Sequence, residues 1–222
     1  TEMRLAVLSD ESALPSITRQ KTIAGGIDTS IFQPEFSPDG RYLAYASDQT
    51  GWWQLYLYDL QQDSHRQITD VPAEHAVPAW VQGLRTYGWS ADGSAIYFLR
   101  NNGGRFSLHV YELGSGQTRA VKALDHYTYL RAIAVSRTDD QVALLASSTT
   151  LPERVITVAI DRMNVPESLT PEVADPDNGE FVLVSGEQEV IVARSKSEML
   201  RNSVSEGQPV EWTSFDGETA YG

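Results

Sequence analysis

Hydrophobic residues are densest between positions 42 and 46, where the run Tyr42–Ala46 contains no charged or amide side chain. A strand with one solvent-facing side alternates apolar and polar residues, so a run without alternation predicts a strand covered on both faces. The residues Ser37 to Gly40 just before it suit a type I turn, because proline presets φ and glycine accepts the positive φ that closes a hairpin. The pattern therefore predicts a strand, a tight turn and a second, buried strand.

This strand-turn-strand unit recurs twice further along the chain. One copy spans Thr86 to Leu99, and a more diverged copy spans Ala132 to Ala146. The turn serines of the three copies, Ser37, Ser90 and Ser136, follow one another at intervals of about 50 residues, which is near the length of a β-propeller blade. The recurrence decides the fold class, and we predict an all-β, partial β-propeller.

Each copy of the unit is followed by two further predicted strands. A third strand begins about eighteen residues after the turn serine, and a short fourth strand follows a turn-rich gap. The third strands are Leu55–Leu60, Leu108–Leu113 and Val155–Ile160, and the fourth strands are Arg66–Thr69, Thr118–Val121 and Glu167–Thr170. Four strands per unit predict three full blades at about 33–70, 86–122 and 130–170.

Incomplete units stand at both ends of the repeats. Arg4–Leu8 and Ile17–Ile23 have the pattern of the outer two strands of an earlier blade. Phe181–Val184 and Glu189–Ala193 have the pattern of the inner two strands of a later blade. The partial propeller is therefore expected to hold three full blades and a partial blade at each end.

The chain is predicted to divide into two parts. Residues 1–206 are assigned to propeller blades. Residues 207–222 read as a linker and a hairpin with an Asp-Gly turn. Because a lone two-stranded hairpin is marginally stable in water, we expect it to be the first hairpin of a following domain.

Composition and charge narrow the possible partners. The chain is 41% hydrophobic and 21% charged, which is typical of a soluble globular protein, and its formal net charge is −13. Such a chain repels phosphate backbones, so we expect no nucleic-acid partner. No apolar run approaches the roughly 20 residues of a membrane span, and the N-terminus has no signal-peptide pattern, so we expect no membrane partner and a cytoplasmic location. A homo-oligomer remains open.

Metal and cofactor sites are not expected. The chain has no cysteine, and its four histidines are far apart in sequence, without the close pairs that bind zinc. Asp39, Asp92 and Asp139 recur at equivalent turns, where we interpret them as turn formers rather than ligands. The segment Asp175 to Glu180 is similar to a calcium loop, but a glycine stands where the loop needs its bidentate glutamate, so we interpret it as a turn.

Two acid–histidine neighbours could suggest proton relays. They are Glu74-His75 and Asp125-His126. Adjacent residues of an extended chain point to opposite sides, so we expect neither pair to act as a unit.

The repeat and the C-terminal hairpin together resemble one known family. The stretch Phe36–Tyr45, combined with the exit Glu211–Gly217, is similar to prolyl oligopeptidase family serine peptidases, in the style of acylaminoacyl-peptidases and dipeptidyl-peptidases. The resemblance implies that the final hairpin opens an α/β-hydrolase domain, whose Ser-Asp-His triad places serine on a Gly-x-Ser-x-Gly elbow. The nearest string here, Gly88 to Asp92, lacks the last glycine and already forms a turn, so no catalytic residue is predicted.

The resemblance implies a non-catalytic, substrate-gating propeller segment of a peptidase that cleaves short peptides, as an oligopeptidase or aminopeptidase. Its partners would be the hydrolase domain of the same chain and the peptide. The connection from Val71 to Arg85 is the longest between full blades, and long loops on rigid scaffolds often carry function. We predict that Trp80 and Arg85 border the substrate channel. The alternatives are a free-standing TolB-like propeller that binds proteins, and a propeller enzyme with an axial metal.

Overall fold

The computed structural model describes residues 1–9, 14–162, 183–184, 187–194, 205, 207–208 and 210–221. Within these ranges the chain is almost entirely antiparallel β-structure, and a 3₁₀ turn at Lys122–Leu124 is its one helical element. No helix in the described part is long and apolar enough to cross a membrane. The chain forms two compact units, Thr1–Leu84 and Arg85–Gly222.

The first unit contains a two-stranded hairpin and a four-stranded sheet. The hairpin pairs β1 (Glu2–Ser9) with β2 (Ser16–Gly25). The first sheet has the sequential order β3-β4-β5-β6, which is the meander of a propeller blade. Its strands are β3 (Ile31–Phe36), β4 (Tyr42–Ser47), β5 (Gln54–Asp59) and β6 (Ser64–Gln67).

The core of the first unit lies between the hairpin and the first sheet. Met3 and Ile23 of the hairpin share a buried cluster with the tyrosines of β4 and β5. The rings of Tyr45 and Tyr56 stack with their centroids 5.4 Å apart. Strand β4 is buried from Leu43 to Ser47, so the prediction that the strand after the turn is covered on both faces is confirmed.

The second unit contains two larger sheets and the C-terminal hairpin. The second sheet repeats the meander in the order β7-β8-β9-β10, and the third sheet has the order β11-β12-β13-β15-β14. The second sheet contains β7 (Tyr87–Trp89), β8 (Ala95–Asn102), β9 (Arg105–Glu112) and β10 (Thr118–Ala120). The third contains β11 (Tyr129–Val135), β12 (Gln141–Ser147), β13 (Arg154–Ala159), β14 (Leu183–Val184) and β15 (Glu187–Arg194). The hairpin pairs β16 (Glu211–Thr213) with β17 (Thr219–Tyr221).

One continuous core joins the second and third sheets. Tyr97 and Leu108 of the second sheet are in the same buried cluster as Leu144 and Ile156 of the third. A Cβ added to Gly88 would lie 2.6 Å from a methyl carbon of Val135, so glycine permits the close approach of β7 and β11. The stacked sheets confirm the predicted all-β propeller class.

The third sheet differs from the expected strand assignment. The fourth strand expected at 167–170 lies outside the described residues. The strand expected at 189–193 belongs, as β15, to the third sheet, where it pairs with β13 rather than opening a later blade. An alternating pattern predicts that a segment forms a strand but not which edge it joins, and the free hydrogen-bonding edge of β13 accepts it.

The innermost strands of the first and third sheets share an irregularity that the sequence pattern did not reveal. Register shifts interrupt β3 near Gln33 and β11 near Ala132. These two residues have positive φ angles of 47° and 55°. Each residue precedes its turn serine by the same interval, so the bulge recurs at one position in these two copies of the repeat.

Candidate functional site

The connection from Val71 to Arg85 begins as an anchored segment. The Trp53 N–H, at the start of the third strand of the first sheet, donates to the Glu74 carboxylate at 2.9 Å. The His75 N–H donates to the Trp53 carbonyl at 2.9 Å, and its ring Nδ1 lies 3.0 Å from the same oxygen. These contacts fix the first turn of the connection against the sheet.

The two predicted channel residues occupy different units. Trp80 lies in the first unit, with its backbone N–H bonded to the Pro78 carbonyl at 2.9 Å and its side chain 87% exposed. Arg85 begins the second unit and is also exposed. Exposure leaves each side chain able to meet a ligand, and their role in a substrate channel stays a prediction.

The neighbouring tryptophans have separate roles. Trp53 packs edge-on against Phe32, which lies in the same sheet, with a centroid separation of 6.3 Å. Trp52, by contrast, is 43% exposed in the turn before β5. One tryptophan of the pair therefore faces solvent at the edge of the first sheet.

The Ser-Pro-Asp-Gly turn of the first sheet is closed by its own side chains. The Ser37 hydroxyl donates to the Asp39 carboxylate at 2.6 Å and accepts from the Tyr42 N–H at 2.9 Å. The Arg41 N–H donates to the same carboxylate at 3.0 Å. These hydrogen bonds, that of Ser37 first, lower the pKa of Asp39. The interpretation of Asp39 as a turn former is confirmed.

In the equivalent turn of the second sheet, the aspartate also contacts an arginine. Ser90 donates to Asp92 at 2.7 Å, and the N–H of Ser94 donates to it at 3.0 Å. Arg162, which follows β13 of the third sheet, bonds both Asp92 oxygens at 3.2 Å. Burial alone would raise the pKa of Asp92, but the hydroxyls of Ser94 and Ser90 and the nearby guanidinium lower it well below its usual range.

Arg162 connects the second sheet to the third. Its Nε and Nη2 donate to the two Glu112 oxygens at 3.0 and 2.8 Å, in the paired geometry that suits a guanidinium. Its Nη1 lies 3.5 Å from the Asp140 carboxylate, which also accepts the Tyr97 hydroxyl at 2.6 Å. The hydrogen bonds to Glu112 raise the pKa of Arg162. We call Arg162, Asp92, Glu112 and Asp140 the Arg162 cluster.

Sequence reasoning missed the Arg162 cluster, although one signal pointed toward it. Glu112 ends the third strand of the second sheet, and Asp59 ends the third strand of the first. Asp59 also pairs with an arginine, the Arg41 of its own turn, at 3.1 Å. In the first two sheets, the acid at the end of the third strand therefore marks the position of an arginine partner.

The serine of the second sheet's repeat is a turn residue. Ser90 of the string nearest to a nucleophile elbow gives its hydroxyl to Asp92 and accepts the Ala95 N–H at 2.9 Å. Those bonds close a hairpin, so the hydroxyl serves the turn. Across the described ranges, no group of three or more His, Cys, Asp or Glu side chains is arranged to hold a metal ion.

The acid–histidine neighbours contact other groups rather than each other. Glu74 and His75 both bond the backbone of Trp53. In the second pair, Asp125 lies 3.5 Å from the Lys122 ammonium, whereas His126 lies 3.3 Å from the Glu189 carboxylate. Each contact agrees with the expectation that neither pair forms a relay. The segment 175–180 lies outside the described residues.

Comparison with known proteins identifies similar chains. The profile of the dipeptidyl peptidase IV (DPP IV) N-terminal region matches residues 12–153. No curated protein sequence matches significantly. Among solved structures, the chain is similar to puromycin hydrolase, with a TM-score of 0.74, 19% identity and coverage of 99% of this chain and 28% of that one. For a puromycin-hydrolyzing peptidase of Mycobacterium tuberculosis, the TM-score is 0.69 at 18% identity, and the match covers 99% of this chain and 28% of that one.

A third similar structure is prolyl oligopeptidase B from Galerina marginata. Its TM-score is 0.61 at 12% identity, and the match covers 99% of this chain and 27% of that one. At these identities the likeness shows the fold. The chain spans about a quarter of the length of these three solved structures.

Proposed function

Because the chain belongs to the family of dipeptidyl peptidase IV N-terminal regions, we propose that it gates substrate access as part of the propeller of a serine peptidase. The family match covers more than half of the chain, and the resemblance to prolyl oligopeptidase family peptidases is confirmed. The observation that carries the proposal is this match, combined with a fold likeness to peptidase structures that extends over 99% of the chain. The active site then belongs to an α/β-hydrolase domain elsewhere in the protein.

The proposed substrates are short peptides, cleaved by an oligopeptidase or aminopeptidase through an acyl-enzyme. A propeller suits size selection because stacked sheets with one shared core are rigid, and the second and third sheets share such a core. In this role the described residues exclude folded proteins and support the catalytic domain. They take no part in bond chemistry.

Peptidase assays on the full-length protein test this function. Chromogenic peptides of two to five residues are expected to be cleaved, whereas a folded protein carrying the same sequence in an exposed loop is not. A serine-directed fluorophosphonate is expected to label the full-length protein and to leave the segment 1–222 unlabelled. Labelling within this segment, or no hydrolysis of any short peptide, would contradict the proposal.

The channel role of Trp80 and Arg85 is tested separately. Trp80→Ala and Arg85→Ala in the full-length enzyme are expected to reduce the preference in kcat/KM for short over long peptides by about tenfold, or about 1.4 kcal/mol. Ile27→Ala and Arg19→Ala provide matched controls, because both side chains are exposed in the first unit and neither is predicted to border the channel. Unchanged size preference in both test variants would remove them from the channel.

A further inference from the structure

The turn between β12 and β13 holds Thr149 at its tip. The Ser148 N–H donates to the Leu151 carbonyl at 3.0 Å, and the Ser148 hydroxyl accepts the Leu151 N–H at 3.0 Å. Leu151 also packs against the core shared by the second and third sheets. These contacts hold the turn in place and leave the Thr149 side chain free to meet another segment.

Gly207, in the segment before the C-terminal hairpin, contacts that tip. Its N–H donates to the Thr149 hydroxyl at 3.2 Å. A Cβ added to Gly207 would lie 2.8 Å from Thr149 Cγ2 and 3.8 Å from Thr149 Cβ. Real Cβ atoms essentially never come this close to another atom, so a larger residue at 207 would force the Thr149 side chain to shift. We call it the 149–207 contact.

The 149–207 contact lies at a definite edge of the second unit. Successive turns of a meander lie alternately at the two opposite ends of its strands. The β12–β13 turn therefore lies at the same strand ends as the β8–β9 turn and the connection that enters β11. Hydrogen bonds join these parts, because the Phe106 N–H donates to the Thr128 carbonyl at 2.9 Å and the Thr128 N–H donates to the Ser147 carbonyl at 3.1 Å. We call this surface the Thr149 edge. The Arg162 cluster occupies the opposite edge.

Chain length decides which edge the hairpin can reach. Three residues, 208–210, lie between Gly207 and the first residue of β16, and the four Cα–Cα steps span at most about 14 Å when fully extended. The seven residues of β12 extend for about 23 Å between the two edges. Strand β16 therefore begins on the side of the Thr149 edge.

The C-terminal hairpin exposes large apolar side chains to solvent. Val210 and Trp212 are 55% and 51% exposed, and the side chain of Phe215 at the turn is fully exposed. Two strands alone cannot bury apolar side chains of this size. The occupant that fits is the domain to which the hairpin belongs, because it is covalently continuous with these residues.

We propose that the Thr149 edge is the surface of the second unit on which the α/β-hydrolase domain docks, and that the 149–207 contact sets where the chain leaves the propeller. The inference rests on the proposed function, in which such a domain follows. Thr149 and Gly207 act as positioning residues for the two domains.

A disulfide tests the 149–207 contact in the full-length protein. The 3.8 Å separation between an added Cβ on Gly207 and the Thr149 Cβ falls in the range of about 3.5–4.5 Å that disulfides adopt, and this segment has no competing cysteine. Under mild oxidation, T149C/G207C is expected to give the cross-linked peptide by mass spectrometry with kcat/KM within twofold of the reduced protein. The control pair S115C/G207C uses the β9–β10 turn at the opposite edge and is expected to stay reduced. No disulfide in the folded test variant would overturn the contact.

Lysine cross-linking tests the docking surface. Lys122 lies on the Thr149 edge with its side chain 72% exposed, and S115K places a matched lysine on the opposite edge. With an amine-reactive cross-linker of about 12 Å span, a length comparable to that of four extended residues, Lys122 is expected to link to residues beyond 222 and S115K is not. Links from S115K without links from Lys122 would refute the docking surface.

Peptidase activity separates the two possible failures. An active peptidase with links only from S115K keeps the proposed function and overturns the docking inference. If the full-length protein has no peptidase activity and no domain beyond residue 222, the proposed function and the docking inference are both overturned.

A double substitution tests the glycine requirement. G207A is expected to increase protease cleavage between residues 205 and 210 severalfold, because its methyl group collides with Thr149 Cγ2. Adding T149S removes that methyl carbon while keeping the hydroxyl acceptor, and it is expected to restore protection. If G207A and G207A/T149S are cleaved equally fast, steric contact with Thr149 does not position the linker.

Discussion

Replacing Arg162 by methionine is expected to loosen the packing of the second sheet against the third. The side chain of Arg162 is only 14% exposed, and it is the cation that faces Asp92, Glu112 and Asp140. Methionine keeps much of the volume and removes the charge. Three carboxylates are then left to repel one another without their shared guanidinium.

The size of the effect follows from partial burial. Breaking a fully buried ion pair costs about 3–5 kcal/mol, whereas exposed pairs contribute about 0–1 kcal/mol. Glu112 is 29% exposed and Asp92 is 61% exposed, so the cluster lies between these limits. We expect a loss of about 2 kcal/mol, which corresponds to an increase of about 30-fold in the equilibrium constant for local opening.

Hydrogen exchange of the full-length protein measures this opening. Amides of β8, β9, β12 and β13 are expected to exchange about 30-fold faster in R162M, since they border the core that the cluster closes. R131M is the matched control, because Arg131 makes a similar bond to Glu153 at 2.7 Å with both side chains more than 40% exposed. Its effect is expected to stay within about twofold. Equal effects of R162M and R131M would refute the argument from burial.

The pH dependence of the same variant has a definite sign. Because the fold lowers the pKa of Asp92, its contribution to stability is present above the unfolded value of 3.8 and is lost as the pH falls toward the lower folded value. The difference in exchange between R162M and the parent protein is therefore expected to stay constant from pH 7 to about pH 5 and to shrink as the pH falls below 3.8. A difference that grows on acidification would show that another group controls the opening.

Four further outcomes are expected from single sites. G88A should destabilise the second unit and V135A should rescue it in part, as measured by urea unfolding, because the added methyl meets Val135. A132G should stabilise by about 0.5–1 kcal/mol by relieving a positive φ. D39A should lower the unfolding midpoint by removing the turn's acceptor. Burial, with a smaller contribution from a neighbouring tyrosine, raises the pKa of Tyr45 to about 12, so the near-ultraviolet titration of Y45F should lack a transition near that pH.

The fold could be predicted because its signals are local. The turn Ser37–Gly40 contains within four residues the groups that close it, and the structure shows those same side chains bonded to one another. The buried strand after it follows from an unbroken apolar run. The site could be predicted less well, because Trp80 and Arg85 were chosen from the length of one connection rather than from a chemical pattern.

The sequence pattern predicts strands and charged positions, but it does not predict which strands or side chains pair. Strand β15 was predicted as a strand, yet its pairing with β13 depends on which strand edge of the sheet is open to it. The acids that end the third strands of the first two sheets show the same limit. Asp59 pairs with Arg41 of its own turn, whereas Glu112 pairs with Arg162 of the next sheet. The repeat therefore fixes where the carboxylate stands, and only the packing of whole sheets decides whether the bond closes one blade or joins two.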